Sequence, residues 1–305
     1  MAGRPGVNEA GNAIELRGIT KRFGAVVANR DIDLAVRRGT IHGIVGENGA
    51  GKSTLMSILY GFYQADEGEV LIGGKPADIR SSREAIDVGI GMVHQHFMLV
   101  ETFSVLENVM LGAEEHALIA PSAVDARREL QRLADEYGLS VHVDGIVGEL
   151  PVGEQQRTEI LKALYRNAEI LILDEPTNGL DIPSKGQFRK VLTEAVSDER
   201  TVIISTHQVR DLANLMDPVV VLDRGRILFQ RSMEDISKVL NFKLVQSLTP
   251  PESVLHYEQV PGGFMTLTAN TNGQYTDVEM ESLFNAVVSR KPEILNLFKT
   301  TNHGL

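Results

Sequence analysis

Cysteine is absent from all 305 residues of the chain. Without thiols the chain can form no disulfide framework, no thiolate metal site and no cysteine nucleophile. This composition fits the cytosol. Long apolar runs are missing as well: no stretch approaches the ~18 apolar residues that a membrane helix needs, and the opening MAGRPGVNEAGN lacks the apolar core of a secretory signal. If the protein works at a membrane, we expect it to dock there through another subunit.

Long blocks of one charge are also lacking. The net charge of −11 is spread along the chain, which disfavours nucleic acid or an anionic membrane surface as the main partner. With 43% hydrophobic residues, the chain can build the core of one large domain, or of one domain with a small appendage.

From Ile14 onwards, short β-branched runs alternate with longer helical patterns, which is typical of an α/β domain with central parallel strands. Three apolar runs, 41–45, 170–173 and 202–205, predict buried strands. They lead into a glycine-rich loop, a pair of carboxylates and a histidine. We therefore expect the chemistry at the carboxyl ends of these strands.

The pattern becomes helical between about residues 97 and 167. Leu130, Leu133, Ala134 and Tyr137 fall at i, i+3, i+4 and i+7, on one face of a helix. This predicts a helical insertion into the core, which closes with a hairpin over 219–228 turned at residues 223–225.

The composition shifts after about Ser232. Strands are predicted over 242–248, 254–260 and 264–269, separated by turns at 249–251 and 261–263, and a helix over 278–288 follows the turn at Asn272-Gly273. We expect a flexible N-terminus over 1–12, a main domain over 13–232 and a small α+β appendage over 233–305.

Residues 46–53 read GENGAGKS and match the pattern G-x-x-x-x-G-K-[ST] between a predicted strand and a helical run over 54–60. Glycines let successive N–H groups face a β-phosphate, Lys52 adds positive charge, and Ser53 offers a hydroxyl to Mg²⁺. The alternative is a chance glycine-rich turn. The predicted phosphate-binding residues are Gly46, Glu47, Asn48, Gly49, Ala50, Gly51, Lys52, Ser53 and Thr54.

An acidic pair ends the strand over 170–173. Asp174 can hold the Mg²⁺ shell, and Glu175 can orient and deprotonate an attacking water. Taken alone, the pair could instead cap the helix that begins near Pro183.

Two further polar residues are candidates. His207 follows the strand over 202–205, where a neutral imidazole can reach a γ-phosphate, although a histidine after a strand is more often structural. Gln95 lies between the core and the helical insertion and is a weaker signal by itself.

In their order along the chain, these motifs resemble the ATP-binding cassette (ABC) ATPase family over residues 13–232. The resemblance rests on 46–53, Gln95, LPVGEQQR at 150–157, DEPT at 174–177, NGLD at 178–181 and STH at 205–207. It implies an ABC-type P-loop NTPase core with ATP and Mg²⁺ as cofactors. By resemblance, 46–53 is the Walker A loop and 170–174 is Walker B. The other implied site residues are Phe23 against adenine, Gln95 in the Q-loop and at the metal, Gly153 and Glu154 in the signature, Glu175 as the catalytic base, Asp181 in the D-loop and His207 as the switch.

Cassettes of this family trap ATP between two copies arranged head to tail. The resemblance therefore implies a second cassette, as a homodimer or a related chain, together with integral-membrane subunits, and a solute-binding protein if the system imports. It also implies a peripheral location on the cytoplasmic face of the inner membrane.

The signature departs from the usual Leu-Ser-Gly-Gly-Gln of the family. Pro151, Val152 and Glu154 replace its serine, first glycine and glutamine. Proline has no N–H and no hydroxyl, but it suits the first turn of a helix. Our hypothesis is weaker closure of the cassette pair or slower hydrolysis.

The resemblance differs between the two parts of the chain. Residues 13–177 resemble nucleoside and simple-sugar importers, which carry two tandem cassettes, whereas 178–305 look more like single-cassette exporters. A natural mosaic, an assembly artefact or a recombinant chimera would each produce a join near Thr177. We expect nucleoside or sugar import. The alternatives are export, a soluble cassette ATPase that acts on ribosomes or DNA-repair complexes, and a regulatory module without turnover.

Overall fold

The structure is a computed structural model that describes residues 11–112, 122–195, 200–248, 254–271, 273, 275–289 and 292–300. Of the predicted flexible N-terminus, residues 1–10 lie outside this part, and Asn12 already begins the first strand. The predicted turn at 249–251 and Asn272 also lie outside the described residues.

Thirteen strands occur among the described residues. In chain order they are β1 (Asn12–Phe23), β2 (Val26–Arg37), β3 (Ile41–Val45), β4 (Glu67–Ile72), β5 (Lys75–Pro76), β6 (Ile90–Val93), β7 (Ile170–Asp174), β8 (Thr201–Thr206), β9 (Val219–Asp223), β10 (Arg226–Arg231), β11 (Leu240–Val245), β12 (Val254–Val260) and β13 (Gly263–Ala269).

Ten α-helices connect or cover these strands within the described part of the chain. They are α1 (Lys52–Leu59), α2 (Ser82–Asp87), α3 (Val105–Met110), α4 (Ala123–Glu136), α5 (Val152–Tyr165), α6 (Ile182–Ala195), α7 (Val209–Leu212), α8 (Met233–Val239), α9 (Met280–Val288) and α10 (Pro292–Thr300). Within the described ranges, none of them combines the length and apolarity needed to cross a bilayer.

The central sheet has six strands in the order β10-β9-β3-β8-β7-β6, parallel except for β10. The predicted buried strands are therefore confirmed. Their side chains alternate between two cores: Ile172 and Ile203 face one, while Leu171, Leu173 and Ile204 face the other. Burial on both faces explains why these strands read as continuous apolar runs.

A four-stranded antiparallel sheet, β2-β1-β4-β5, covers one face of the central sheet. We had not predicted it. Alternation of apolar and polar residues in β2 buries Ile32, Leu34 and Val36 and exposes the positions between them, as expected of a sheet with one wet face. The predicted hairpin is confirmed as β9 and β10, and its turn residues Arg224 and Gly225 have φ of 46° and 74°, the pair of positive values that a type I′ turn needs.

The segment predicted as helical contains α3, α4 and α5, with residues 113–121 outside the described part. Leu130, Leu133 and Ala134 are buried on one face of α4, as their spacing predicts. The hydroxyl of Ser122 caps α4 by accepting the N–H of Asp125 at 3.2 Å.

The C-terminal strands form a separate antiparallel sheet in the order β11-β13-β12. The predicted strand over 254–260 is confirmed, whereas the one predicted over 242–248 occupies Leu240–Val245. Helix α10 had not been predicted. It begins at Pro292, and its Phe298 packs edge-on against Phe229 of β10 with ring centroids 4.9 Å apart. This apolar contact joins the short helix to a strand that lies much earlier in the chain.

Two isoleucines offer a matched test of the core. Ile172 is 0% exposed in β7, and Ile182 is 84% exposed at the start of α6. We expect Ile172→Ala to lower the free energy of unfolding by about 2–5 kcal/mol, because it removes packed methyl groups and leaves a cavity. Ile182→Ala is expected to change it by less than about 0.5 kcal/mol. Denaturant titration checks both, and equal effects would contradict the assigned core.

Candidate active site at the carboxyl edge of the sheet

The polar residues predicted from sequence converge where β3, β8 and β7 end side by side. The parallel register pairs Val45 with Thr206 and Asp174 with Ser205. Since β8 lies between β3 and β7, the phosphate loop, the acidic pair and the histidine emerge at one edge of the sheet, as expected for an α/β site.

The loop between β3 and α1 folds tightly against its neighbours. At Gly46 a Cβ atom would lie 2.4 Å from the carbonyl oxygen of Leu222, and at Gly51, with φ of 102°, a Cβ would lie 2.3 Å from that of Ala28. Gly51 is anchored further because its carbonyl accepts from the side-chain amide of Asn29 at 3.1 Å. The glycines thus allow a close backbone approach that side chains would block.

The ammonium of Lys52 lies inside this loop, with only 4% of the side chain exposed. It donates to the carbonyl oxygens of Gly46 at 2.7 Å and Glu47 at 3.1 Å, and it lies 3.2 Å from a carboxylate oxygen of Glu175. A buried charge needs partners of this kind. The loop therefore presents one positive charge at the amino-terminal end of α1.

Glu175 lies between that charge and His207. Its second carboxylate oxygen accepts from the backbone N–H of His207 at 3.1 Å and lies 2.8 Å from the Nδ1 atom of the ring. Glu175 is 6% exposed and has φ of 49°, a strained value for a side-chain-bearing residue. Its backbone N–H donates to the carbonyl of Ser205 at 2.9 Å, which fixes the residue after β7 against β8.

Asp174 is placed to hold a divalent cation. Its Oδ1 atom accepts from the hydroxyl of Ser205, and the hydroxyl of Ser53 lies 3.3 Å away. Burial raises the pKa of Asp174 above its ordinary value, and the two serine hydroxyls partly offset this rise. One carboxylate and one hydroxyl are hard oxygen ligands, the set that Mg²⁺ takes from proteins when water and phosphate complete its shell. The residues therefore fit the ion.

An open cleft beside the loop gathers several predicted residues. Lys52, Ser53, Thr54, Gln95 and Glu175 line it. Asn48 and Gly49 also line it, together with Val26, Val27, Ala28, Gly51 and Arg224. Gln95 and Ser53 thus border the same space, whereas they are 42 positions apart in the chain.

Phe23 lies outside the residues that line this cleft. The ring is 42% exposed and packs edge-on against Tyr63, with centroids 5.0 Å apart, and the ammonium of Lys21 lies 5.5 Å from the ring centre. Its role beside adenine stays a prediction.

The signature-like residues occupy the start of α5, and none of them is among the residues that line the cleft with Lys52. Pro151 is the N-cap, no side chain caps the helix, and Val152 is 47% exposed. Glu154 points inwards, where its carboxylate accepts the backbone N–H of His142 at 2.6 Å and lies 2.8 Å from its Nδ1 atom. In this arrangement the Glu154 carboxylate supports the 142–150 loop.

Gly153 and Asp181 meet at Ser184. A Cβ on Gly153 would lie 2.7 Å from the hydroxyl of Ser184, and the carboxylate of Asp181 accepts the Ser184 N–H at 2.9 Å. Asp181 thereby caps the first turn of α6. The starts of α5 and α6 thus pack closely together.

The sequence motifs predict no role for Ser205, whose hydroxyl donates directly to Asp174. The available signal was its position: a serine ending a parallel strand next to the strand that ends in Asp174. His142 was also missed, since nothing in a lone surface histidine indicates a partner twelve residues later.

Replacing Asp174 by Asn is expected to stabilise the metal-free protein, because a neutral amide avoids the cost of burying a charge and still accepts from Ser53 and Ser205. The native pKa is raised above the unfolded value of 3.8. The ionised carboxylate therefore costs stability, and this cost grows as the pH rises from 3.8 through the raised native pKa.

Thermal unfolding at about pH 4 and about pH 7 measures this effect, and the gain for Asp174→Asn should be larger at the higher pH. The control is Asp78→Asn, since Asp78 is an exposed surface partner of Arg80. A gain that does not depend on pH would contradict the explanation by burial.

The comparisons with known proteins agree with this geometry. Residues 29–178 match the family model described as ABC transporter. The nucleoside import ATP-binding protein NupA of Lactococcus lactis subsp. cremoris is 43% identical over 213 residues, which cover 70% of this chain and 42% of that protein. The glucose import ATP-binding protein TsgD13 of Haloferax volcanii is 38% identical over 323 positions, covering 95% of this chain and 58% of that protein.

The chain therefore spans about half the length of the curated relatives it matches. The second alignment extends beyond Thr177, into the part whose resemblance to exporters stays a prediction. Among solved structures, a nucleotide-free ATP-binding cassette from an ABC transporter superposes with a TM-score of 0.63 at 25% identity, over 72% of this chain and 92% of that one. A dimeric post-hydrolysis cassette bound to ADP and Pi gives a TM-score of 0.64 at 26% identity, over 72% and 98%.

Proposed function

Because the chain belongs to the ABC transporter family of ATPases, we propose that it binds and hydrolyses ATP to power solute transport through separate membrane subunits. The observation that carries this proposal is the meeting of Lys52, Asp174 and Glu175 at one edge of the sheet, with Lys52 and Glu175 3.2 Å apart. A phosphate-binding cation, a metal-binding carboxylate and a general base are the parts that phosphoryl transfer to water requires.

Binding rests on the loop and on Lys52. The backbone N–H groups at the start of α1 would face a bound phosphate, and the positive end of the helix would add to the attraction. The Lys52 ammonium already lies between loop carbonyls, so it is held in place to meet the β- and γ-phosphates. Asp174, Ser53 and Gln95 would hold Mg²⁺, which neutralises charge that develops on the phosphate oxygens.

Chemistry rests on Glu175. A carboxylate oxygen held by His207 can orient a water in line with the γ-phosphorus and accept its proton as the P–O bond to ADP breaks. His207 contacts Glu175 at 2.8 Å, which supports a role in orienting the base. It also lines a cavity with Gly46, Glu47 and Asn48 of the phosphate loop, which supports a role beside the γ-phosphate. The products are ADP and phosphate.

A second cassette is part of the proposal. Val152 at the start of α5 is exposed, and residues 150–154 are not among those that line the cleft with Lys52. This supports a role for that helix end at a nucleotide held by another copy. The dimeric cassette among the solved neighbours supports this arrangement. The integral-membrane subunits, a solute-binding protein and a peripheral place on the cytoplasmic face of the inner membrane belong to the same proposal.

We propose import of a nucleoside or a simple sugar as the transport reaction. Support comes from the relatives, which are named as nucleoside, guanosine, glucose and ribose import ATP-binding proteins. The surface that would contact the membrane subunits includes Gln95 and the helical segment with α3, α4 and α5. Both lie within the region that aligns with these importers. Transport by reconstituted vesicles with the cognate membrane subunits would test the direction.

Glu175→Gln tests the chemistry. We expect Mg²⁺-dependent ATP hydrolysis to fall by ~10² to 10⁴, because the amide cannot accept the proton of the attacking water. ATP binding should persist, and an ATP-bound dimer should accumulate in size-exclusion chromatography. The control is Glu169→Gln, which changes an exposed glutamate just before the amino-terminal end of the same strand, β7. Unchanged turnover in Glu175→Gln would remove Glu175 from the role of base.

Pro151→Ser tests the altered signature. Serine restores an N–H and a hydroxyl at the N-cap of α5, where the N–H groups of Glu154 and Gln155 already donate to the carbonyl of residue 151. We expect tighter ATP-driven dimerisation and a higher turnover rate, measured by sedimentation and phosphate release. If neither quantity rises, the altered signature does not limit the enzyme.

A further inference from the structure

The segment that carries Gln95 lies between two cavities. On one side Gln95 and Ser53 border the open cleft beside the phosphate loop. On the other side His94 and Met98 line a smaller cavity beneath α5, together with Glu159, Lys162 and Arg166 of that helix. A movement of residues 94–98 against α5 would therefore change the position of Gln95 relative to Ser53.

A charged pair on α5, Lys162 and Glu159, lies against the backbone of this segment at Met98. The Nζ atom of Lys162 donates to the Met98 carbonyl at 3.0 Å, and the Met98 backbone N–H partly offsets the rise that burial causes in the pKa of Glu159. Lys162 and Glu159 lie 3.8 Å apart, one turn along the same helix face. A side chain of α5 is thus bonded to the backbone of Met98, three residues after Gln95.

This pair is poorly explained as a device for stability. Glu159 is 3% exposed, and its Oε1 atom has no hydrogen-bond partner. Burial raises the pKa of Glu159 and lowers that of Lys162, which reflects the cost of placing both charges there. A buried ion pair seldom improves stability over apolar residues of similar size, so a gain in geometric specificity is the better reason for it.

The other side of Gln95 is anchored by aromatic rings. The ring of His94 stacks on Phe62 with centroids 5.3 Å apart and meets Tyr60 edge-on at 5.6 Å. Tyr60 and Phe62 follow α1, the helix that begins with Lys52 and Ser53. Gln95 therefore lies between two attached residues. His94 contacts the rings that follow α1, and Met98 is hydrogen-bonded to Lys162 of α5.

We propose that Glu159 and Lys162 are positioning residues for Gln95. They link the backbone of residues 95–98 to α5, so that the position of the Gln95 amide oxygen at the metal site changes when α5 moves. The inference rests on the proposed function. It deepens that function by linking the metal site to the helix whose first turn faces the second cassette. Glu159 and Lys162 are not among the residues that line the cleft bordered by Gln95, and they act through the backbone of residues 95–98.

The test is a double-mutant cycle in the Glu175→Gln background, with the Mg²⁺ concentration for half-maximal binding of a fluorescent ATP analogue as the readout. We expect Lys162→Met to raise this concentration roughly tenfold, because the charge-assisted hydrogen bond to the Met98 carbonyl is lost. Gln95→Ala is expected to raise it comparably. In the Gln95→Ala variant, adding Lys162→Met should have little further effect on the Mg²⁺ concentration, because the Gln95 amide that Lys162 positions is already absent.

Three comparisons complete the design. Lys162→Arg keeps a donor and should recover most of the Mg²⁺ affinity, and Lys190→Met, at an exposed lysine of α6, should leave it unchanged. Amide exchange over residues 94–99 should rise in Lys162→Met before any metal or nucleotide is added. Additive effects of Lys162→Met and Gln95→Ala, or no change in Mg²⁺ affinity, would overturn the positioning role. Failure of the Glu175→Gln parent to bind the nucleotide would instead overturn the proposed function, and this inference with it.

Discussion

Parallel pairing of β3, β8 and β7 is the constraint on which the site depends. β3 precedes β7 and β8 by more than a hundred residues in the chain, and the register of the three strands sets Val45 beside Thr206 and Asp174 beside Ser205. Because parallel strands all end at the same edge, the loop after β3 meets the acidic pair after β7. The strands are buried on both faces, so a slip in register would cost much of the core.

The charged centre is expensive to build and is secured by hydrogen bonds. Lys52 and Glu175 are almost wholly buried, yet the ammonium has two carbonyl partners and the carboxylate has His207. Glu175 also bears a strained φ of 49°. Local strain and buried charge together are typical of functional sites, where surrounding packing holds a conformation that the residue would not choose alone.

Glu159 and Lys162 form a second charged pair with little exposure to solvent. As with Lys52 and Glu175, we attribute this pair to the geometry that it imposes and not to a gain in stability. The ammonium of Lys162 donates to the Met98 carbonyl, so a movement of α5 would carry the 94–98 segment with it. A single helix then connects the signature-like turn at Pro151 to the oxygen proposed to reach the metal. Changes at either end of α5 can reach the other end without a path through the central sheet.

Several elements of the fold and of the candidate site could be predicted from the sequence, because they depend on patterns over short stretches of the chain. Apolar runs bounded by turns determined the central strands, the i, i+3, i+4 spacing determined α4, and the glycine, lysine and serine of 46–53 determined the phosphate loop. What the sequence could not determine is the set of contacts between distant segments: Ser205 on Asp174, His207 on Glu175, Met98 on Lys162, and Phe298 on Phe229. Those contacts depend on strand order and helix packing, and only the tertiary structure decides these, because they are set by burial summed over the whole chain.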